Sequence, residues 1–266
     1  MSNITITHSD SGLLHAQVLK KEQISPNFVR VTLGGADLTR FQFVGADQWF
    51  RLVIPVHEGD RLDLMPQRFG VAGFLRYLSL PKGVRPVVRN YTVRSYRPSP
   101  AEIDIDFVVH GSEGIAAPWA SRVESDFEVA LIDQGCGWHP KAADWYLLTG
   151  DESSLPALAG IIRDLPDESA GHAFIELFDK RDRQELNAPK GFQVHWLERS
   201  ATQAPGSKLL PTLERFAFPS GTPYAFSVGE SALATGVRRH LVAQRGVPKA
   251  QITFSGYWKL GKSAWT

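Results

Sequence analysis

The sequence has little cysteine, almost no net charge and no long apolar run, and each shortage removes a class of function. Cys136 is the single cysteine of the 266 residues. That excludes an internal disulfide, a zinc site of four cysteines and a self-contained cysteine-ligated iron–sulfur cluster. Lysine plus arginine number 29 against 28 aspartate plus glutamate, a net charge of +1, so no global field marks nucleic acid or an acidic membrane as partner. No stretch approaches the roughly 18 apolar residues that span a bilayer, and the N-terminal segment lacks the charged start and apolar run of a signal peptide. A cytoplasmic location without membrane insertion is the expectation. The eight histidines show no metal-ligand constellation, and His139 and His172 read as solvated or hydrogen bonded. Redox chemistry would most simply fall to a bound organic cofactor.

Charge is unbalanced locally. Arg61, Arg68, Arg76, Lys82, Arg85, Arg89, Arg94 and Arg97 face Asp63 alone over that stretch, which points to an anionic ligand nearby. Within it runs Arg89-Asn90-Tyr91-Thr92-Val93-Arg94. In an extended backbone Arg89, Tyr91 and Val93 share one face and Asn90, Thr92 and Arg94 the other. A ring to stack on, a hydroxyl and two cations suit a planar anionic ligand such as a flavin dinucleotide. Taken alone, the six residues suit equally a barrel strand with an exposed basic face.

In the first half, alternating segments at 28–33, 49–54, 103–110 and 126–132 are separated by glycine and proline and show little helical period, as expected of an antiparallel barrel or sandwich. Residues 61–88 are less regular and read as loop or a short helix. The segment at 111–120 brings two glycines and small residues to a helix start, where free N–H groups hold a phosphate or merely join a loop to a helix. Beyond it the pattern changes. Strands at 145–149, 173–178, 192–197 and 224–230 alternate with helices through about 163 and over 231–245, which predicts a doubly wound parallel sheet. The boundary falls near 140, giving domains 1–140 and 141–266.

The motif order resembles the ferredoxin reductase superfamily. Arg89-Asn90-Tyr91-Thr92-Val93-Arg94, the strand end at Asp106-Phe107-Val108-Val109-His110-Gly111, Gly114 with Trp119-Ala120, Gly150-Asp151-Glu152 with Leu155-Pro156-Ala157, and Gly256-Tyr257-Trp258-Lys259 resemble one branch of it, the siderophore-interacting proteins. The resemblance implies a Greek-key β-barrel that binds FAD, an α/β domain that binds NADPH or NADH, and reduction of ferric siderophores. It implies that Tyr91 stacks on the flavin, Thr92 bonds near N5 and Arg89, with Arg94, meets the phosphate side. His110, Gly114, Ala116 and Ala117 would hold ribityl or pyrophosphate groups, although this chain has Ile115 and Ala117 where relatives usually carry proline and a small hydroxyl residue. Gly150, Asp151, Glu152 and Ser153 would receive the nicotinamide nucleotide, or simply form a capped helix start. Arg181, in Asp179-Lys180-Arg181-Asp182-Arg183, leans the loop toward NADPH, with the acids there suiting NADH. Lys259 and Lys262 would attract the siderophore or remain solvated on an aromatic tail. The alternatives are a general flavin reductase, an electron-transfer reductase serving ferredoxin as partner, and a redox-inactive siderophore-binding protein.

Overall fold

A computed structural model describes residues 2–7, 11–109 and 114–262. Within these, β1 (Leu13–Ser25), β2 (Phe28–Gly34), β3 (Trp49–Ile54), β4 (Val87–Thr92), β5 (Ser95–Pro98), β6 (Ala101–Val108) and β7 (Glu128–Gly135) form one sheet in the order β4-β3-β7-β1-β2-β6-β5. Every pairing in it is antiparallel. The two edge strands, β4 and β5, follow each other in the chain. Between them the Val93 N–H donates to the Gln48 carbonyl at 2.8 Å and the Arg94 N–H to the Asp104 carbonyl at 2.9 Å. Each bond extends an inner ladder, that of β4 on β3 or of β5 on β6, so one bent segment of chain spans both ends of the sheet, as in a barrel.

Strands β3 and β7, and β1 at Leu13 and Leu14, bury both faces, which is why their apolar residues run together there. Leu14, Leu52, Val129 and Leu131 enter the barrel core with Val31, Leu33, Ile103, Ile105 and Phe107. Their neighbours Leu13, Val53, Ala130 and Ile132 face outward into a second cluster with Met65 and Phe69, packed by Phe74 and Tyr77. Phe74 and Tyr77 belong to α1 (Val71–Ser79). The stretch expected as loop or short helix is thus a helix between two tight turns, holding a cover over the outer face.

Two carboxylates on β6 pin the strands beside it. Asp104 accepts from Arg97 Nη1 at 2.7 Å and Nη2 at 2.9 Å, from Ser95 Oγ at 2.6 Å and from Thr32 Oγ1 at 2.7 Å. Burial pushes its carboxyl up, but the Arg97, Ser95 and Thr32 bonds outweigh burial and hold it well below the usual carboxylate range. After β6 the helix α2 (Ala116–Arg122) packs Trp119 and Ala120 into the core.

The second unit begins at Gly137 and includes the segment Gly45–Asp47. That segment belongs with it because Asp164 accepts from the Ala46 N–H at 2.6 Å and Asp47 from the Trp138 N–H at 2.8 Å. Strands β8 (Trp145–Asp151), β9 (Ala170–Leu177), β10 (Gly191–Glu198), β11 (Pro223–Glu230) and β12 (Ile252–Trp258) lie in the order β10-β9-β8-β11-β12. All are parallel. Helix α3 (Leu155–Asp164) packs on β8, while α4 (Leu209–Arg215) and α5 (Ser231–Arg245) bury Leu209, Leu213, Leu233, Val237 and Leu241 against Trp145, Leu147, Phe174 and Ala225. The α5 helix ends where expected, at Gly246 with φ +67°. Strand order reverses between β8 and β11, so the carboxyl ends of those strands mark the crevice where this fold takes ligands.

Replacing Asp104 by Asn removes the charge that Arg97 answers and should cost about 2 kcal/mol. Because the folded pKa is depressed, the stabilisation is present above the unfolded value of about 4 and is lost as pH falls through the folded one. Urea unfolding of both proteins between neutral and acid pH should show the gap closing in acid. A constant gap would refute the assignment.

Candidate functional site

The edge strand β4 carries the candidate residues of the barrel. Tyr91 is half-buried, its ring centroid 4.2 Å from that of Phe107. Phe107 meets Trp119 at 5.6 Å and Trp119 meets Phe127 at 5.8 Å. An aromatic ladder thus ties the strand to α2, so that tilting the Tyr91 ring disturbs three others. Burial pushes the Tyr91 hydroxyl up, opposed by the charge of Arg89. Thr92 lies on the other face of β4, nearly buried, opposite Trp49.

Arg89 donates through Nη1 to the Val88 carbonyl at 2.8 Å and makes no ion pair among the described residues. Burial lowers its pKa, offset only by the neighbouring Tyr91 and Tyr77 hydroxyls. A half-buried guanidinium that lacks a carboxylate is a strong site for an anion, since pairing would repay its lost hydration. Arg94 is set differently. Its Nε lies 3.3 Å from Asp106, which Arg30 also grips at 2.6 and 2.9 Å. The Arg94 charge is largely answered inside the fold.

Arg51 escaped the sequence reading. It stands opposite Asn90, with its guanidinium carbon 4.2 Å above the Phe69 ring and its Nε buried without a partner. Burial pulls its pKa down to about 10. The available signal was a lone charge within Trp49-Phe50-Arg51-Leu52-Val53-Ile54, where a strand buried on both faces has no reason to carry one.

His110 lies outside the described residues. Gly114 has φ +82°, and a Cβ there would meet nothing within 4 Å. Helix α2 follows, its N-cap Ile115 offering no side-chain acceptor, so its first N–H groups lack intrahelical partners. Ala116 is buried in the core and Ala117 half-buried. Any role of these two toward a ligand is therefore through the backbone. An open, left-handed glycine, a helix start without a side-chain cap and an arginine without an acid partner among the described residues fit the phosphate-bearing half of FAD.

At the crevice of the second unit the predicted residues come together as acids. A Cβ on Gly150 would lie 2.6 Å from the Val228 carbonyl, so glycine there permits close packing of β8 on β11. Asp151 is fully buried and accepts from the Ser153 N–H at 3.0 Å, the Glu230 N–H at 2.7 Å and Trp258 Nε1 at 3.1 Å. One carboxylate thus joins the ends of β8, β11 and β12, and it is the cap that the sequence allowed. Glu152 bonds Arg199 at 2.7 Å, and Arg199 also lies 3.5 Å from Glu176. Glu152 Oε2 and Arg199 Nε and Nη1 are buried without hydrogen-bond partners. Burial, then the Asp151 charge, push Glu152 up to about 8 against the pull of Arg199.

Arg181 is exposed and held by Asp179 through Nε at 3.0 Å, which keeps that carboxyl down at about 2. The charges of this loop therefore cancel in part. Lys259 and Lys262 are exposed on a turn closed by the Lys262 N–H to the Lys259 carbonyl at 3.0 Å, without acid partners among the described residues. His172, as expected, is hydrogen bonded, its Nδ1 3.1 Å from His195 Nε2.

An antiparallel barrel followed by a parallel sheet that reverses at β8 and β11 is the two-domain fold of the ferredoxin reductase superfamily. Residues 17–137 match the siderophore-interacting FAD-binding domain and residues 143–261 the siderophore-interacting protein domain. The chain is 31% identical over 259 residues to the ferric vibriobactin reductase ViuB of Vibrio cholerae, covering 92% of this chain and 89% of that one. A siderophore utilization protein from T. fusca superposes with TM-score 0.78 at 30% identity, over 98% of both chains. The siderophore-interacting protein SipS of Aeromonas hydrophila gives TM-score 0.76 at 25% identity, over 95% and 93% of the two chains. The chain belongs to the siderophore-interacting protein family.

The raised pKa of Glu152 fixes a sign. Its protonated form suits the folded state, so its contribution is whole below about 4.3 and is lost as pH climbs through the folded value. Relative to wild type, Glu152→Gln should gain stability from about pH 5 to about pH 9 in urea melts. Parallel profiles would show that Arg199 keeps Glu152 ionised throughout.

Proposed function

We propose that this protein is an FAD-dependent reductase that takes hydride from NADPH or NADH and reduces Fe(III) in ferric siderophores, releasing Fe(II). The observation that carries the reading is Arg89, a half-buried cation without an acid partner among the described residues, set on the edge strand β4 two residues from Tyr91. Arg89 holds a cofactor phosphate, Gly114 and the first amides of α2 take further phosphate oxygens, Tyr91 offers its ring to the isoalloxazine and Thr92 its hydroxyl near N5. When bound, FAD supplies acceptance of two electrons as hydride and their release one at a time. Each Fe(III) takes one electron, and the Fe(II) formed is held more weakly by hard oxygen ligands. Lys259 and Lys262 raise the local concentration of an anionic chelate. No protein nucleophile and no resident metal are required.

The donor has a second reading. Asp151, Glu152 and Glu230 occupy the crevice with carboxylates, and Asp179 holds Arg181. Few free cations remain there for the phosphates of a dinucleotide, which favours a reduced ferredoxin as donor. Anaerobic titration of the purified yellow protein with NADPH, NADH and reduced ferredoxin, followed at the flavin bands, separates the readings. A colourless protein that still binds the ferric chelate would overturn both in favour of a binding module.

Arg89→Ala should weaken FAD by about 1.5 to 3 kcal/mol, read as flavin lost on gel filtration; full retention would refute the assignment. Replacing Lys259 and Lys262 together by Ala should slow reduction of an anionic siderophore more than of a neutral one, with the difference shrinking in salt. Equal effects on both chelates would remove the lysines from substrate attraction.

A further inference from the structure

Helix α1 leaves an apolar ridge in solvent. Phe74 and Tyr77 turn into the cluster on the barrel's outer face, yet Val71, Leu75 and Leu78 stand 81%, 61% and 46% exposed. Their spacing of four and three puts all three on one side of the helix. Of the nine residues, only Arg76 is charged, and Ser79 and the inward Tyr77 hydroxyl are the other polar groups. Single exposed apolar residues need no explanation, but three in a row on one helix do.

The charge around the ridge has one sign. Residues 64–88 contain Arg68, Arg76, Lys82 and Arg85 and no acid. Arg76 and Lys82 are exposed, and Arg85 lies against the Tyr77 ring at 5.4 Å. In the turn before the helix, Asp63 is taken by Arg61 at 2.6 and 2.8 Å and Asp60 by the Val56 and His57 N–H groups, leaving Glu58 as the remaining acid. An overall charge of +1 conceals this patch.

We propose that α1 with its flanking cations docks the protein on an anionic lipid surface, lying in the interface with Val71, Leu75 and Leu78 among the acyl chains and Arg76, Lys82 and Arg85 at the headgroups. A convex ridge of flexible side chains suits a deformable lipid surface, whereas an acidic protein partner would need a groove cut to fit it. The apolar stripe beside basic side chains is the pattern of interfacial helices. The helix contributes no buried side chain of its own, so immersion of the ridge leaves the barrel core undisturbed. This inference is independent of the redox reading, since the surface includes neither Arg89 nor Tyr91.

The test is cosedimentation of the full chain with vesicles of phosphatidylcholine alone and of phosphatidylcholine mixed with phosphatidylglycerol. Binding should require phosphatidylglycerol and fall with salt. Each cation removed, by Arg76→Gln or Lys82→Gln, should lower partitioning about fivefold, and Leu75→Ser with Leu78→Ser at least about tenfold. Circular dichroism and flavin retention on the same samples confirm that the variants are folded. The proposal is overturned by failure to bind phosphatidylglycerol vesicles, or by binding that both sets of variants leave unchanged. It is also overturned if the ridge instead drives self-association seen in sedimentation velocity, or captures an acidic protein while ignoring lipid.

Discussion

Two backbone hydrogen bonds, from Val93 to Gln48 and from Arg94 to Asp104, carry the chain from the ladder of β4 on β3 to that of β5 on β6 and fix the register of what the first unit presents to a ligand. With them, the chain can turn from one edge strand to the other in two residues, and the alternation of β4 is locked to the core by Val93. Tyr91 then has one place to go, against Phe107. Arg89, two residues earlier on the same face, is brought to the half-buried position where its charge matters. A one-residue slip would exchange Tyr91 for Asn90 on the core face, so register and site geometry are the same constraint.

The two units settle their charges in opposite ways. In the barrel, Asp104 and Asp106 absorb Arg97, Arg30 and Arg94, and what remains unanswered is cationic, Arg89 and Arg51. In the α/β unit the acids are spent on backbone amides. Glu176 accepts from the N–H groups of Lys208 and Leu209 at the start of α4, Glu230 from those of Ala232 and Leu233 at the start of α5, and Asp151 from Ser153 and Glu230. Each such carboxylate complements a helix dipole and satisfies donors that would otherwise be orphaned. The half-buried cations without an acid among the described residues therefore belong to the barrel, while the free cations of the second unit, such as Lys259 and Lys262, are exposed.

Much of the architecture was legible in the sequence because local and tertiary signals agree. Trp49–Ile54 and Ser231–Arg245 are bounded by proline, glycine and caps that act within a few residues. Helix α1 was harder to read, since its inward side chains alternate with an exposed apolar ridge and the usual polar face is missing. The role of Asp151 as a tie between three strand ends also lay beyond sequence, because Glu230 and Trp258 are far along the chain. Arg94 looked like Arg89 by type and spacing; only the pairing of β2 with β6, which sets Arg30 and Asp106 side by side, shows that its charge is shared.

The crevice chemistry bears on what can enter the second unit. Beneath its surface lie Asp151, whose oxygens are taken by Ser153, Glu230 and Trp258, Glu152 with its carboxyl pushed up to about 8, and Arg199, whose Nη1 and Nε lack hydrogen-bond partners. These groups hold the strand ends together rather than meeting a ligand, so the surface above them carries little of their charge. The exposed cations of the loop after β9, Lys180 and Arg183, are then the groups that an anionic ligand of this unit would meet first. The acids act on the site through the backbone they fix, and the charge that selects a ligand lies outside them.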